Sequence, residues 1–470
     1  NDRRIISVTS QQFPGDGLPT VSGGAEVTAG TGIEQQNTFL AYFARATYSF
    51  ADKYLLKASI RRDGSSRFGE NVRFGNFPAI SGGWIISEEN FLNDSNTLSF
   101  LKIRASYGEL GNAEIGNFAS RFLFSSVPYN RRSGLAPLQP GNPNLTWEKS
   151  KQTDFGIDYG FLDGRISGEI DYYIKDTEGL LFEVPLVPSS GSNIINRNIG
   201  ALRGKGFEFV LNTQNVSNDN FTWTTNFNIS NNITELQSLP NDNADIVTGE
   251  NINRVGETLA SYYLREYAGV DPDNGDALYF LNDGTDGTTT DPNEAQRIAI
   301  GNPFPEWYGG LTNSMTYRGI DFAFTFQGER GASIYNSGGR FQSASADFYD
   351  NQSIDQLQRW QQPGDITDVP QARLFGANGT AESTRYLDEA DFIRLRNLTL
   401  GYTIPSKTVE KIGFNKLRVY FTGINLLTFT DYRFEDPEAR SDVNDNNNPG
   451  STFYSSPPAK TFTIGLNINF

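Results

Sequence analysis

The chain ends in AKTFTIGLNINF, where Phe462, Ile464, Leu466, Ile468 and Phe470 take alternate positions and Thr461, Thr463, Gly465, Asn467 and Asn469 take the others. A period of two with an apolar and a polar side predicts a strand between two different surroundings. The pattern recurs. Leu101, Ile103, Ala105 and Tyr107 oppose Lys102, Arg104 and Ser106. Ile166, Gly168, Ile170, Tyr172 and Ile174 oppose Arg165, Ser167, Glu169, Asp171 and Tyr173. Ile320, Phe322, Phe324 and Phe326 oppose Asp321, Ala323, Thr325 and Gln327. Charges collect on one face and are missing from the other. A charge at mid-bilayer costs about 2–4 kcal/mol, so the division reads as lipid outside and a wet lumen inside.

Thirteen such strands are predicted, near 38–50, 53–62, 74–87, 98–110, 146–161, 165–178, 203–215, 221–232, 306–318, 320–331, 392–404, 416–427 and 459–470. Short connections at Ala51-Asp52, Leu162-Asp163-Gly164, Asn215–Asn220 and Gly319 alternate with long ones near 110–146, 178–203, 231–306, 331–391 and 428–458. Outer-membrane barrels have short periplasmic turns and long extracellular loops. The expectation is therefore an all-β, transmembrane antiparallel β-barrel with its C-terminus, Phe470, at the periplasmic side. The soluble alternative is an extracellular β-solenoid or stacked adhesin, against which the absence of a short internal repeat counts.

Composition narrows the chemistry. No apolar run is long enough for a transmembrane helix. Mean hydropathy is negative, as expected when half of each strand faces a polar lumen. The 35 Phe and 21 Tyr suit membrane interfaces and a lipid face. There is no Cys and no His, which removes disulfides, thiol chemistry, Ser-His-Asp triads and His-ligated zinc. Paired carboxylates remain possible as catalysts, but no spacing suggests two facing acids. The net charge of −16 argues against a nucleic-acid partner. The chain starts NDRRIISV, without Met or signal peptide, and an exported barrel of this strand count reads as a fragment.

Six collinear blocks resemble the C-terminal half of a SusC/RagA-type TonB-dependent transporter of Bacteroidota. They run Tyr54–Phe91 (YLLKASIRRDGSSRFGENVRFGNFPAISGGWIISEENF), Leu101–Asn112 (LKIRASYGELGN), Gly141–Tyr173 (GNPNLTWEKSKQTDFGIDYGFLDGRISGEIDYY), Gly301–Gly328 (GNPFPEWYGGLTNSMTYRGIDFAFTFQG), Asp391–Pro405 (DFIRLRNLTLGYTIP) and Leu417–Ala439 (LRVYFTGINLLTFTDYRFEDPEA). The resemblance implies a 22-stranded plugged barrel of which residues 1–470 are the C-terminal part, with the plug domain and first strands outside this chain. It implies active import of a bulky nutrient, an oligosaccharide or oligopeptide, across the outer membrane. The implied partners are a SusD-like surface lipoprotein, and TonB through the missing N-terminal part. It implies no enzyme activity, no cofactor and no metal. It also implies that the barrel-assembly machinery reads Phe470 as a terminal aromatic. The alternatives are a non-transporting surface barrel, such as an adhesin or structural envelope component, and a passive porin with fewer strands.

The loops hold the binding candidates. Tyr129, Phe341, Phe348, Tyr349 and Trp360 sit in long connections, where aromatic faces stack on sugars or cover apolar peptide side chains. The competing reading is that they pack the loops together. Trp147, at a strand start, reads as an interface-belt residue. Arg61–Phe68 (RRDGSSRF) reads as a tight turn at Asp63-Gly64, or else as a polar cluster at the rim. Asp271–Asp276 (DPDNGD) looks like a calcium loop, but Gly275 stands where the third oxygen ligand belongs, so a hairpin turn is expected. Asp442–Asn448 reads as a solvated loop tip. The acidity of the long loops predicts polar contacts rather than an apolar patch.

Overall fold

The computed structural model describes residues 2–12, 25–92, 94–127, 130, 132–192, 194–344, 347, 349–441 and 449–470. One antiparallel sheet dominates, with thirteen strands in sequence order. They are β1 (Phe39–Phe50), β2 (Tyr54–Ser65), β3 (Phe74–Ile85), β4 (Leu98–Asn112), β5 (Glu148–Phe161), β6 (Ile166–Glu178) and β7 (Ala201–Ser217). Then follow β8 (Phe221–Ser238), β9 (Trp307–Tyr317), β10 (Ile320–Arg330), β11 (Phe392–Ile404), β12 (Lys416–Thr430) and β13 (Thr461–Asn469). All thirteen expected strands are present. A hairpin of Asp2–Gln11 with Glu26–Gln36, which alternation did not reveal, precedes β1 as a separate two-stranded sheet.

The turns are made by local chemistry. Ala51 and Asp52 take positive φ between β1 and β2, as do Leu162, Asp163 and Gly164 between β5 and β6. Tight hairpin reversals of right-twisted strands require such left-handed residues. At the opposite end β2 runs straight through Asp63 and Gly64 to Ser65, paired to β3. The tight turn expected at Asp63-Gly64 is therefore wrong, and the chain reverses later, over 66–73. Asp63 is buried and accepts two bonds from Arg61 Nε at 2.7 and 2.6 Å. Phe68 pulls the segment onward by packing on Leu145 and Trp147.

Register shows how the wall is tilted. One row of paired positions runs Phe50, Tyr54, Trp84, Ile103, Ile157, Ile170, Phe209, Ile229, Gly309, Gly328, Ile393, Phe429. It starts at the short-turn end of β1 and finishes at the long-loop end of β12. That stagger is the shear of a barrel wall. Every member is apolar, and most of the side chains point to open surroundings; Ile103, Trp84 and Phe429, for example, are exposed.

The other face is charged and self-paired. Arg104 Nη2 donates to Asp171 Oδ2 at 2.6 Å and Nε to Asp158 Oδ1 at 2.8 Å, while Lys102 Nζ reaches Asp158 Oδ2 at 2.7 Å. Arg104 also lies 3.3 Å from Asp154 and 3.5 Å from Glu169. Gly156 sits beneath this cluster, and a Cβ there would come within 2.5 Å of Arg104 Cζ. Arg418 and Asp321 repeat the device across Gly401.

Buried apolar residues concentrate in the long loops, not in the wall. A wall between lipid and lumen has no third side to enclose a core. The loops carry small sheets of their own. Ile246–Thr248, Asn251–Asn253, Ser261–Arg265 and Arg297–Ile300 form one. Tyr267–Val270, Ala277–Phe280 and Thr288–Thr289 form another, and Leu387–Glu389, Ser333–Asn336 and Ser451–Thr452 a third. One core joins Tyr262, Leu264, Tyr335 and Tyr386; another joins Ala332, Ile334, Ala390 and Tyr432. Trp147 also belongs inside. It is 3% exposed, packs among Phe39, Phe68 and Phe77, and donates Nε1–H to the Arg73 carbonyl at 2.8 Å. The interface-belt role expected for it is thereby excluded.

Candidate functional site

The long loops gather at the end opposite the short turns, over the sheet. Tyr267, Asn336, Ser343, residues 353–355, Thr384–Tyr386 and Arg433–Glu435 are among the residues that line a cavity of about 560 Å³. Arg385 anchors its wall. Its Nη2 donates to Ser343 Oγ at 3.0 Å, and its Nη1 to the Gly379 carbonyl at 3.0 Å and the Tyr386 hydroxyl at 2.9 Å. The guanidinium also lies over the rings of Tyr267 and Tyr386, 5.9 and 5.2 Å from their centroids. Burial pushes both phenols up from their ordinary value, and Arg385 opposes the shift in each. Asp355 accepts the hydroxyls of Ser343 and Ser353. Asp355, Asp368 and Glu435 line the cavity, and none makes an ion pair among the described residues. Such a wall offers hydroxyl, carboxylate and aromatic surface, suited to hydroxyl-rich or amine-bearing groups.

The loop over 431–439 is fastened to the wall by charge. Arg394, 1% exposed on β11, donates Nη2–H to Asp436 Oδ2 at 2.6 Å. Its Nη1 stands 2.5 Å from Glu438 Oε2, an ion-pair distance without hydrogen-bond alignment. Arg396 pairs with the same Glu438 and donates to Gln327 at 2.9 Å and Asn425 at 3.0 Å. The RLRN and FEDPEA segments thus form one structural unit.

The sequence-derived candidates fall in different places. Tyr349 is 92% exposed, with its ring 5.0 Å from Phe375. Phe341 is half-buried in the short helix Gly339–Gln342, edge-on to Phe453 at 5.9 Å. Trp360 is 5% exposed and donates Nε1–H to the Pro272 carbonyl at 3.0 Å. Its ring covers Gly275, where a Cβ would come within 2.6 Å of it. Trp360 therefore packs the loop instead of presenting a face. Tyr129 and Phe348 lie outside the described residues, as does Asp442–Asn448. Phe470 is 83% exposed beyond β13, its ring 5.3 Å from Phe414.

Asp271–Asp276 is a hairpin turn between two short strands, closed by Gly275 N donating to the Asp271 carbonyl at 2.8 Å. Among the described residues no group of three or more acidic side chains is placed to hold a metal ion. Ile354, Ile366 and Leu374 in the 331–391 loop are 83, 96 and 75% exposed. Acidity averaged over a loop says little about which of its side chains face outward. Sequence reasoning missed Tyr267, Arg385, Tyr386 and Asp355. No local spacing announces them, because the cavity joins segments far apart in the chain.

Residues 5–426 match the family described as "TonB dependent receptor-like, beta-barrel". The chain is 36% identical over 482 aligned residues to TonB-dependent receptor P3 of Formosa agariphila, covering 96% of this chain and 47% of that protein. It is 30% identical over 481 to TonB-dependent receptor SusC of Bacteroides thetaiotaomicron, covering 95% and 45%. Among solved structures it aligns over its whole length with 52% of a chain in the RagAB peptide transporter, at a TM-score of 0.87 and 27% identity. The chain spans about half the length of the curated relatives it matches.

Proposed function

The chain belongs to the TonB-dependent receptor β-barrel family of outer-membrane proteins, and on that premise we propose that it is the C-terminal wall and loop layer of an importer for a bulky nutrient. In this reading the remaining strands and a plug complete the barrel, TonB acts on the plug, and a SusD-like lipoprotein covers the loops and hands over an oligosaccharide or oligopeptide. Phe470 serves as the assembly signal. The observation that carries the reading is the combination of a charged, ion-paired lumen face with a packed loop layer, on a scaffold superposable end to end on part of a peptide transporter. Ion pairs within the wall, such as those of Arg104 and Arg418, hold those lumen charges to one another. The cavity around Arg385 and Tyr267 supplies contacts for hydroxyls and amines at the entrance.

The experiment is deletion of residues 344–383 in the full-length receptor, joined by a short Gly-Ser linker. Growth on one polymeric nutrient is expected to stop while barrel assembly persists, and purification of the wild-type complex is expected to bring down a surface lipoprotein. Unimpaired uptake after the deletion, with no lipoprotein recovered, would overturn the proposal in favour of a non-transporting surface barrel.

A further inference from the structure

The net charge of this chain lies in its loops. Residues 239–306, 331–391 and 431–458 hold 28 Asp and Glu against 9 Lys and Arg, while the rest of the chain holds 27 against 30. Each of these three loops supplies part of the lining of the cavity around Arg385. A cleft walled by one sign of charge concentrates ions of the other sign at its mouth.

Inside the cavity the cations are already matched. Arg433 Nε donates to Asp388 Oδ1 at 3.0 Å. Arg385 reaches Asp355 through Ser343, whose hydroxyl accepts from the guanidinium and donates to the carboxylate. Asp368 and Glu435 remain. Both line the cavity, both are exposed, and neither side chain has an ion pair or hydrogen bond among the described residues. The aromatic surface is in use as well. Three rings line the cavity, those of Tyr267, Tyr386 and Phe434. Arg385 lies over the first two, and Arg433 lies over the third at 5.5 Å from its centroid. On each ring a guanidinium therefore occupies a face on which a pyranose would stack. An ammonium or guanidinium group needs no ring face, and it meets two unmatched carboxylates. Gln342 and Gln358, also in the lining, carry both donors and acceptors, as a peptide backbone requires.

We propose that the cavity receives an oligopeptide through a lysine or arginine side chain, whose charge Asp368 and Glu435 hold. This names the substrate class within the importer reading, on which it rests. The loops draw cationic chains toward the entrance, and the two carboxylates select among them.

The test is equilibrium binding of fluorescent peptides to the full-length receptor in detergent, which needs no transport. The probe is a short Gly-Ser-Ala peptide with a central Lys-Lys pair, beside the same peptide with Gln-Gln. Wild type is expected to bind the lysine form about tenfold more tightly, with a difference that shrinks as salt is raised. Asp368→Asn with Glu435→Gln is expected to remove the preference. Asp273→Asn with Asp286→Asn removes the same charge outside the cavity and is expected to keep it. Heat-modifiable mobility confirms that each variant has assembled. Equal binding of the two peptides by wild type would overturn the proposal, and so would a preference that survives Asp368→Asn with Glu435→Gln. Tighter binding of a glucosamine oligomer than of the lysine peptide would overturn it too, by placing an amino sugar in the cavity. Equal binding in a receptor that still supports growth on its polymer would sink this site alone and leave the importer reading in place. A lysine preference in a receptor that supports no uptake would sink the importer reading instead.

Discussion

The guanidinium of Arg394 has almost no contact with solvent, so its carboxylate partners decide whether it is tolerated. Removing one partner of a buried pair is far more harmful than replacing both by apolar groups, because the remaining charge stays desolvated. Asp436→Ala is therefore expected to destabilise the docked 431–441 segment by about 3–5 kcal/mol. Limited proteolysis of the assembled receptor reads this as cleavage after residues that are protected in wild type. Arg394→Met with Asp436→Leu is expected to restore much of the protection, since Glu438 keeps Arg396; equal cleavage of wild type and Asp436→Ala would refute the role. The buried phenols give a second prediction at this scale. Tyr279 is pushed up to about 12, by burial first and by the nearby Tyr386 next, and burial raises Tyr267 as well. A raised phenol binds its proton more tightly in the folded loops than in the unfolded chain. Its contribution is whole below pH about 10 and is lost as pH climbs toward 12, at about 2–3 kcal/mol for Tyr279. Absorbance at 295 nm during alkaline titration is expected to show a late group of tyrosines that ionise together with loss of loop protection. A single transition near pH 10 would contradict this.

Elements differ in how far the sequence discloses them, and the cause is their surroundings. β6 shows itself because Ile166, Ile170, Tyr172 and Ile174 meet hydrocarbon while Glu169 and Asp171 meet the Arg104 cluster. Two unlike solvents on two faces write a period of two into every wall strand. The same contrast predicts the effect of a misplaced charge. Ile170→Arg, in the middle of the lipid-facing row, is expected to cost about 2–4 kcal/mol of barrel stability, whereas Glu169→Arg on the lumen face costs less. Urea unfolding in liposomes distinguishes the two, and equal losses would mean that the faces are assigned wrongly. The loops had no such legibility. Tyr267 meets Asp368 and Arg385 across more than a hundred residues of chain, and the strands around it are four or five residues long. Their core uses tyrosines and a buried arginine, which in sequence look like polar surface. Trp147 and Trp360 misled for the same reason. An aromatic in a polar segment gives no sign of whether its ring packs inward or stands out. Arg394 and Asp436 were the partial exception, since both fall in quoted family segments, but nothing local in either segment says that they meet.

At the scale of the whole molecule, the sheet of thirteen strands has two free edges. β1 pairs only with β2, and β13 only with β12, among the described residues. In hydrocarbon each unsatisfied backbone N–H or C=O costs several kcal/mol, so an open edge is not tolerated and only closed barrels span. β1 and β13 are 12 and 9 residues long, and half the groups on each edge point away from the sheet. Two remedies exist: further strands supplied beside β1 and β13, or direct closure of β1 on β13. Strand direction argues against the second. Thirteen strands that alternate in direction leave β1 and β13 running the same way, so closing one on the other would need a parallel pair in an otherwise antiparallel wall. Residues 1–470 produced alone and refolded into detergent or liposomes are therefore expected not to give a compact, heat-modifiable, protease-resistant barrel. The same residues within the full-length receptor are expected to give one. A 470-residue product that shifts on heating and resists protease would mean that these strands close by themselves, through a parallel pairing of β1 with β13.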